Sequence, residues 1–370
     1  MENKKYRKLL IGLLLPLLVF VGVIFVKVFN LNNYDFAKLD LDFNLWNLRA
    51  GREMVVEKDL DSINNNNHLY PEEAVEPIRL LFFGDLMLDR HVGEKIDKYG
   101  LDYLLEKLNE DNFSSGYDLV GANLEGAVTN SGEHYRPDNL YDFAFSPDII
   151  RELKKYNFSF FGLANNHLSD QGALGITETY QNLSELGFYY SGCRDAFLSE
   201  SDNFLAVSAG ENQPVLTEDN CSEIILNIKN KKVALISFSS VYKNVDENEI
   251  IQKIKKIKEL SDWVIVNVHF GSEYQPQAGL SQENLARKMV DNGADIIIGH
   301  HPHVSQNYEI YQQKPIFYSL GNFIFDQYFS VETQEGLAVS LVLNDSGEIQ
   351  FTVYKIKTRG SKIEEIAKIL

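Results

Sequence analysis

Gly299-His300-His301-Pro302-His303 places three of the chain's eight histidines within four positions, directly after the apolar run 294–298. Neutral imidazole is the commonest transition-metal ligand near neutral pH, so such a cluster points to a metal or phosphate site. The run before it reads as a buried strand that delivers the imidazoles to a sheet edge. The same event recurs. Residues 78–83 lead into Gly84-Asp85, residues 117–123 into Leu124-Glu125, residues 158–164 into Asn165-Asn166-His167, and residues 263–268 into His269. In layered α/β folds, ligand sites collect at the carboxyl ends of strands, and five such endings form a constellation.

Asp85 and Glu125 supply hard carboxylate oxygens, Asn166 an amide oxygen, and His269, His301 and His303 nitrogens. A mixed oxygen and nitrogen set suits one or two divalent ions of manganese, iron or zinc rather than calcium, which takes oxygen throughout. One carboxylate can bridge two ions about 3.5–4 Å apart, an arrangement that acidifies a bound water and clamps an anionic substrate oxygen. His167 is placed to protonate a leaving group, and Asp170, three residues on, to orient it. Ser319-Leu320-Gly321-Asn322-Phe323 reads as structural, a strand ending in a Gly-Asn turn. His68, His91 and His134 lie outside these motifs and read as solvated.

Between the strands lie helical stretches. Residues 147–155 start on Pro147 after a Ser146 cap, 174–186 stop at Gly187, 250–260 follow, and 281–292 are capped by Ser281. Residues 221–239 read as a hairpin turning at Lys229-Asn230-Lys231, and 315–320 as a further strand. Residues 336–343 and 350–357 form a closing hairpin around Asn344-Asp345-Ser346-Gly347.

The bulk properties narrow the partners. Of the 370 residues, 44% are hydrophobic and 12% aromatic, which describes a chain with a sizeable core. Its net charge is −18, with +4 on the first thirty residues and −22 on the remainder. That excludes a broad nucleic-acid surface, so any anion is met locally, by metals or a few arginines. The two cysteines, Cys193 and Cys221, match no zinc or redox spacing.

Lys4, Lys5, Arg7 and Lys8 precede an uncharged run from Leu9 to Val26, long enough as a helix to span about 27 Å. With no small-residue cleavage site, the run reads as a retained signal anchor, basic flank inside and the rest of the chain outside. The predicted organisation is therefore a cytoplasmic basic tail (1–8), a transmembrane anchor (9–29), an Asn-rich linker (30–76), a main domain (77–330), and a closing β-hairpin with C-terminal tail (331–370).

At these motifs the chain resembles the bacterial capsule-synthesis CapA / PgsA family, named for poly-γ-glutamate capsule, within the calcineurin-like metallophosphoesterase superfamily. The matching stretches are Gly84-Asp85-Leu86-Met87-Leu88-Asp89-Arg90, Asn123-Leu124-Glu125, Ala164-Asn165-Asn166-His167, His269-Phe270-Gly271-Ser272-Glu273-Tyr274, Gly299 to His303, and Ser319 to Phe323. The resemblance implies an α/β fold: a four-layer β-sandwich flanked by helices, with metal ligands on loops at one end. It implies that Asp85 is the first metal ligand, Glu125 the bridging carboxylate, Asn166 a ligand to the second metal and His167 the acid partner. His269 and the terminal cluster are further ligands, with the choice between His300 and His301 open. One position departs from the wider superfamily: Met87 stands where a histidine is expected, and thioether is a poor ligand for a hard ion. The first metal position is then weakly occupied, or Arg90 takes over part of the anion binding as a fixed cation.

Two functional classes follow. One is a membrane-anchored extracytoplasmic capsule or poly-γ-glutamate biosynthesis protein with a metal-dependent, phosphoesterase-like hydrolase site. Its partners are an anionic polymer or its phosphorylated or lipid-linked precursor, the membrane, and other capsule-synthesis membrane subunits. The other is a non-catalytic polymer-binding or export accessory subunit with a vestigial metal site. Retention of Asn166, His167 and Asp170 favours the first; Met87 favours the second. A free-standing phosphodiesterase is the weaker third.

Overall fold

The computed structural model describes residues 76–110, 112–135, 141–192, 223–241 and 246–370. The expected anchor, the linker and both cysteines lie outside these residues, and among the described residues no helix is long and apolar enough to cross a membrane.

Alternation in the strands builds two sheets and three hydrophobic layers. In β1 (Ile78–Leu86), Leu80 and Phe82 point one way and Leu81 and Phe83 the other. β1 lies parallel to β2 (Leu119–Leu124), which pairs with β5 (Phe158–Gly162), which pairs with β6 (Tyr189–Ser191). On its other side β1 pairs antiparallel with β14 (Glu335–Leu343), followed by β15 (Ile349–Arg359) and β16 (Lys362–Lys368). The short β13 (Asn322–Ile324) pairs with the end of β1, setting Asp85 opposite Asn322. A two-stranded ribbon, β3 (Ala127–Val128) with β4 (Ala144–Phe145), stands apart.

The second sheet runs β11 (Tyr308–Tyr311), β12 (Lys314–Phe317), β10 (Ile296–His300), β9 (Trp263–His269), β8 (Lys231–Ser239), β7 (Glu223–Ile228). Its inner four strands are parallel, and β7 and β11 close the edges antiparallel. The β7–β8 hairpin turns on Lys229 and Asn230, both at positive φ, the two-residue geometry that matches strand twist.

Leu80, Phe82, Leu119 and Phe160 meet Val233, Leu235, Ile265 and Ile298 between the sheets. Outside the first sheet pack α1 (Arg90–Tyr99), α2 (Leu101–Leu104), α3 (Glu106–Glu110), α4 (Pro147–Glu152) and α5 (Gly172–Glu185), through residues such as Val92, Leu104, Ile150 and Leu183. Outside the second pack α6 (Glu247–Lys258) and α7 (Leu280–Asp291), through Ile254, Ile257, Leu285 and Met289. The result is the expected four-layer α/β sandwich.

Some local expectations change. The last helix starts at Leu280, not after Ser281: Gly279 is its cap, and the Gln282 side chain accepts the Gly279 N–H at 3.0 Å. The helix after Pro147 ends at Glu152 and tightens into a 3₁₀ turn, Leu153–Tyr156. The residues read as a tail after 357 continue β15 and then form β16.

Candidate metal centre

Every chemistry-bearing strand ending meets the others at one end of the sandwich. Asp85 sits at the penultimate position of β1 because Gly84 lets the chain pass against residues 319–322: a Cβ at Gly84 would stand 1.9 Å from the Gly321 carbonyl oxygen. That carbonyl accepts the Asp85 N–H at 2.9 Å. Glu125 follows β2, Asn166 follows β5, and His269 and His300 close neighbouring strands in register.

Asp85, Glu125 and His269 are buried, and one ligand atom from each lies within 4.8 Å of the others. Asn166 Oδ1 is 2.7 Å from His269 Nε2, and His301 Nδ1 is 3.1 Å from the same nitrogen. Two more imidazoles close on Asp85, with His300 Nδ1 3.2 Å from Oδ1 and His303 Nδ1 3.4 Å from Oδ2. Of the two adjacent histidines, His300 thus faces Asp85 and His301 faces His269. His301 and His303 both hold positive φ, 99° and 57°, backbone states that cost free energy in non-glycine residues and gather at functional sites.

The electrostatics suit a cation. Burial alone would raise the Asp85 carboxyl, but the imidazoles of His300 and His303 outweigh it and hold the group well below the usual range. Burial and the charge of Asp85 push Glu125 well above it. Burial, reinforced by His301, pushes His269 well down, and burial with His303 pushes His301 down to about 4. Burial opposes charge on His303 too, yet Glu125, Asp85 and the bond to Asn322 carry it up to about 9. The cluster thus sets His269 and His301, held toward the neutral form, and His303, held toward the protonated form, beside two crowded carboxyl groups. Among the described residues, Glu125 Oε2 and His300 Nδ1 are buried without an aligned hydrogen bond. A divalent ion held by Asp85, Glu125 and His269, with Asn166 and the 300–303 histidines around it, would satisfy such groups. Bound there, it would supply positive charge and acidify a coordinated water.

His167 stands at the border of the cluster. Its Nδ1 is 2.8 Å from Asp170 Oδ2, and its ring packs 4.2 Å from that of Phe143. Asp170 also accepts the Phe143 N–H at 2.9 Å, and burial raises its carboxyl. Asp170 thus fixes both the imidazole and the loop that backs it. Arg90 is not brought into the cluster: its guanidinium makes two bonds to Asp326, at 3.0 and 2.8 Å, and lies over Phe143 at 5.5 Å. Met87 is fully buried in the core, where its sulfur accepts the Asp89 N–H at 3.1 Å. His134, read as solvated, instead bridges Asp89 at 3.1 Å and Asp142 at 2.9 Å with about a third of its side chain exposed.

Sequence reasoning passed over three buried amides and an acid. Asn123 Nδ2 donates to Asp85 Oδ1 at 2.8 Å and to Glu125 Oε1 at 3.0 Å, clamping the two carboxylates. Asn165 Nδ2 in turn donates to Asn123 Oδ1 at 3.1 Å and fixes which way that amide faces. Asn322 Oδ1 accepts from His303 Nδ1 at 2.9 Å, which leaves Nε2 as the nitrogen available to a metal. The fourth is Asp326, the partner of Arg90. Asn123, Asn165 and Asn322 stand inside the quoted motifs, so their positions were visible while their roles were not.

Fold and site together define a helix-flanked double-sheet protein with a buried carboxylate–histidine group whose ligand atoms lie close enough that they could hold a metal ion. Residues 79–327 match the family described as bacterial capsule synthesis protein PGA_cap. The chain is 31% identical over 302 residues to the capsule biosynthesis protein CapA of Bacillus anthracis, covering 74% of this chain and 68% of that one. It is also 31% identical over 280 residues to the PGA biosynthesis protein CapA of Bacillus subtilis (strain 168), covering 74% and 70%. Among solved structures, a hypothetical protein from Thermus thermophilus aligns with a TM-score of 0.41 at 16% identity, over 79% of this chain and 98% of that one. The chain belongs to the bacterial capsule-synthesis family.

Proposed function

We propose that this protein works in capsule-polymer assembly, as a membrane-anchored extracytoplasmic protein whose double-sheet domain is a metal-dependent, phosphoesterase-like hydrolase. The relatives' roles in capsule and PGA biosynthesis support the setting. The observation that carries the chemistry is the buried meeting of Asp85, Glu125 and His269, with Glu125 Oε2 unpartnered among the described residues. In this reading the substrate is an anionic polymer or its phosphorylated or lipid-linked precursor, and other capsule-synthesis membrane subunits are partners. His167 would deliver a proton to the leaving group; Asp170, bonded to its Nδ1, holds the ring so that Nε2 is the nitrogen that hands the proton over, the arrangement general acid catalysis uses.

A second reading, an accessory subunit with a vestigial centre, has its own support. Met87 is folded into the core rather than facing the cluster, and the charge of Arg90 is matched by Asp326. The test is metal analysis of the purified protein paired with hydrolysis of a generic phosphodiester by the parent, His167→Ala and Asp85→Ala. The hydrolase reading expects His167→Ala to keep its metal and slow turnover by roughly 10²–10⁴-fold, and Asp85→Ala to lose metal. Normal polymer yield from cells carrying either variant at equal protein level refutes it and leaves the accessory role.

A further inference from the structure

Among the described residues, the mouth of the metal centre carries exposed aromatic rings and carboxylates. Tyr274 is 40% exposed, and its ring lies beside that of His303, with centroids 6.2 Å apart and planes 29° from parallel. Phe329, 67% exposed, meets Tyr274 edge-on at 5.1 Å, so the two rings form an open corner beside the histidines. The corner is built. Tyr274 holds φ at +60°, its N–H donates to the Pro302 carbonyl at 2.8 Å, and its hydroxyl accepts from Gln327 Nε2 at 3.2 Å. A tyrosine kept in a left-handed backbone state by the same loop that carries His301 and His303 is an outlier of the kind that marks function.

Charge selects among ligands for this corner. The groups acting most strongly on Glu125, His301 and Tyr274 are carboxylates, histidines and a tyrosine, with no lysine or arginine among them. Arg90, the cation packed on Phe143, is engaged by Asp326. The metal centre can take one anionic group, but the remaining charges of a run of free carboxylates laid across this mouth would face Asp170 and exposed Glu273 with no cation among the described residues to meet them. Exposed Glu273 and Glu332 disfavour an anionic lipid surface for the same reason. What fits is a ring with an apolar face for the aromatic corner and hydroxyl donors for surrounding carboxylate and amide acceptors, which is the chemistry of a sugar.

We propose that Tyr274 and Phe329 are a stacking platform for a sugar ring, which places a glycosyl unit next to the metal centre and makes the substrate a sugar-bearing phosphate rather than a bare run of carboxylates. This rests on the metal-dependent reading above and names its substrate class. The test uses the purified full-length chain with manganese and four probes, N-acetylglucosamine 1-phosphate, unphosphorylated N-acetylglucosamine, inorganic phosphate and a γ-linked glutamate hexamer, with binding measured by calorimetry and metal content on the same samples. We expect the sugar phosphate to bind at least tenfold more tightly than phosphate. Tyr274→Ala and Phe329→Ala should each erase that gain and leave phosphate binding within twofold, whereas Tyr274→Trp, which keeps a stacking face, should retain it. On manganese-loaded protein, a sugar phosphate no tighter than phosphate, or a glutamate hexamer that loses affinity in the same variants, overturns the platform. A chain that takes up no manganese and no phosphate, yet binds unphosphorylated N-acetylglucosamine in a Tyr274-dependent way, overturns the metal reading and keeps the platform.

Discussion

Replacing Asn123 tests the architecture of the centre without touching an expected ligand. Its amide nitrogen makes two bonds to carboxylates, 2.8 Å to Asp85 and 3.0 Å to Glu125, in a place where all three side chains are buried. A hydrogen bond to a charged group contributes about 1.5–3 kcal/mol and one to a neutral group about 0.5–1.5 kcal/mol; with Asp85 held charged and Glu125 held toward its neutral form, Asn123→Ala should cost the metal-free protein about 2–4.5 kcal/mol, a large share of the roughly 5–15 kcal/mol typical of a domain. The side chain also sets the orientation of both acids, and loss of such a support typically lowers metal affinity 10–100-fold. Asn123→Asp goes further by placing a third acid against two that already repel. That variant should melt lower than the alanine variant without metal and recover more on adding manganese, because the ion offsets the crowding. The assay is thermal unfolding with and without manganese, joined to a chelator-competition titration. An alanine variant that binds manganese within threefold of the parent, or an aspartate variant that gains no more from manganese than alanine does, would refute the reasoning.

Three further outcomes are expected. In the metal-free protein, His303 is carried up to about 9 against an ordinary 6.5, so the folded state keeps a proton that the unfolded chain gives up. That stability is full below about pH 6.5 and is lost as pH rises through 9; raised Glu125 acts in the same direction, so the melting temperature should fall from pH 7 to 9 and manganese should flatten the fall, a profile already flat without metal being the contrary result. Gly84→Ala should destabilise by several kcal/mol and deplete metal, since its Cβ would stand 1.9 Å from the Gly321 oxygen; denaturant melts within about 1 kcal/mol of the parent would contradict this. If the domain is extracytoplasmic, protease added to intact wall-stripped cells should remove it, and full protection would sink the topology.

What could be read from the chain before folding follows from what carries a pattern. Buried parallel strands announce themselves as apolar runs, so the endings at Asp85, Glu125, Asn166, His269 and His300 were legible, along with the sheet edge they share. The amides that organise them were not, because an asparagine within a strand, as Asn123 is, or beside one has no readable role until its partners are known. Asp326 lies 236 residues from Arg90, and no local rule links them. Helix α1 buries only Val92 and Ile96 and carries Gly93, too little for a helical stripe. The strand Lys362–Lys368 is made of residues that favour helices; it is extended because β15 offers it an unpaired edge, a case of tertiary context overriding propensity.

The pairing of β1 with β14 has a consequence for how the protein comes into being. Asp85 is among the first described residues of the domain to be synthesised, but its strand is flanked on one side by residues 335–343, which come more than two hundred positions later. A growing chain that has just delivered His303 holds the clustered histidines and both acids, yet β1 still has an open edge and Asp85 has no Asn322 opposite it. Contacts of such separation form slowly, because a long loop must close before they return any stabilisation. The centre is therefore finished near the end of folding, and until then its acids and imidazoles belong to an unsealed sheet able to pair with another chain.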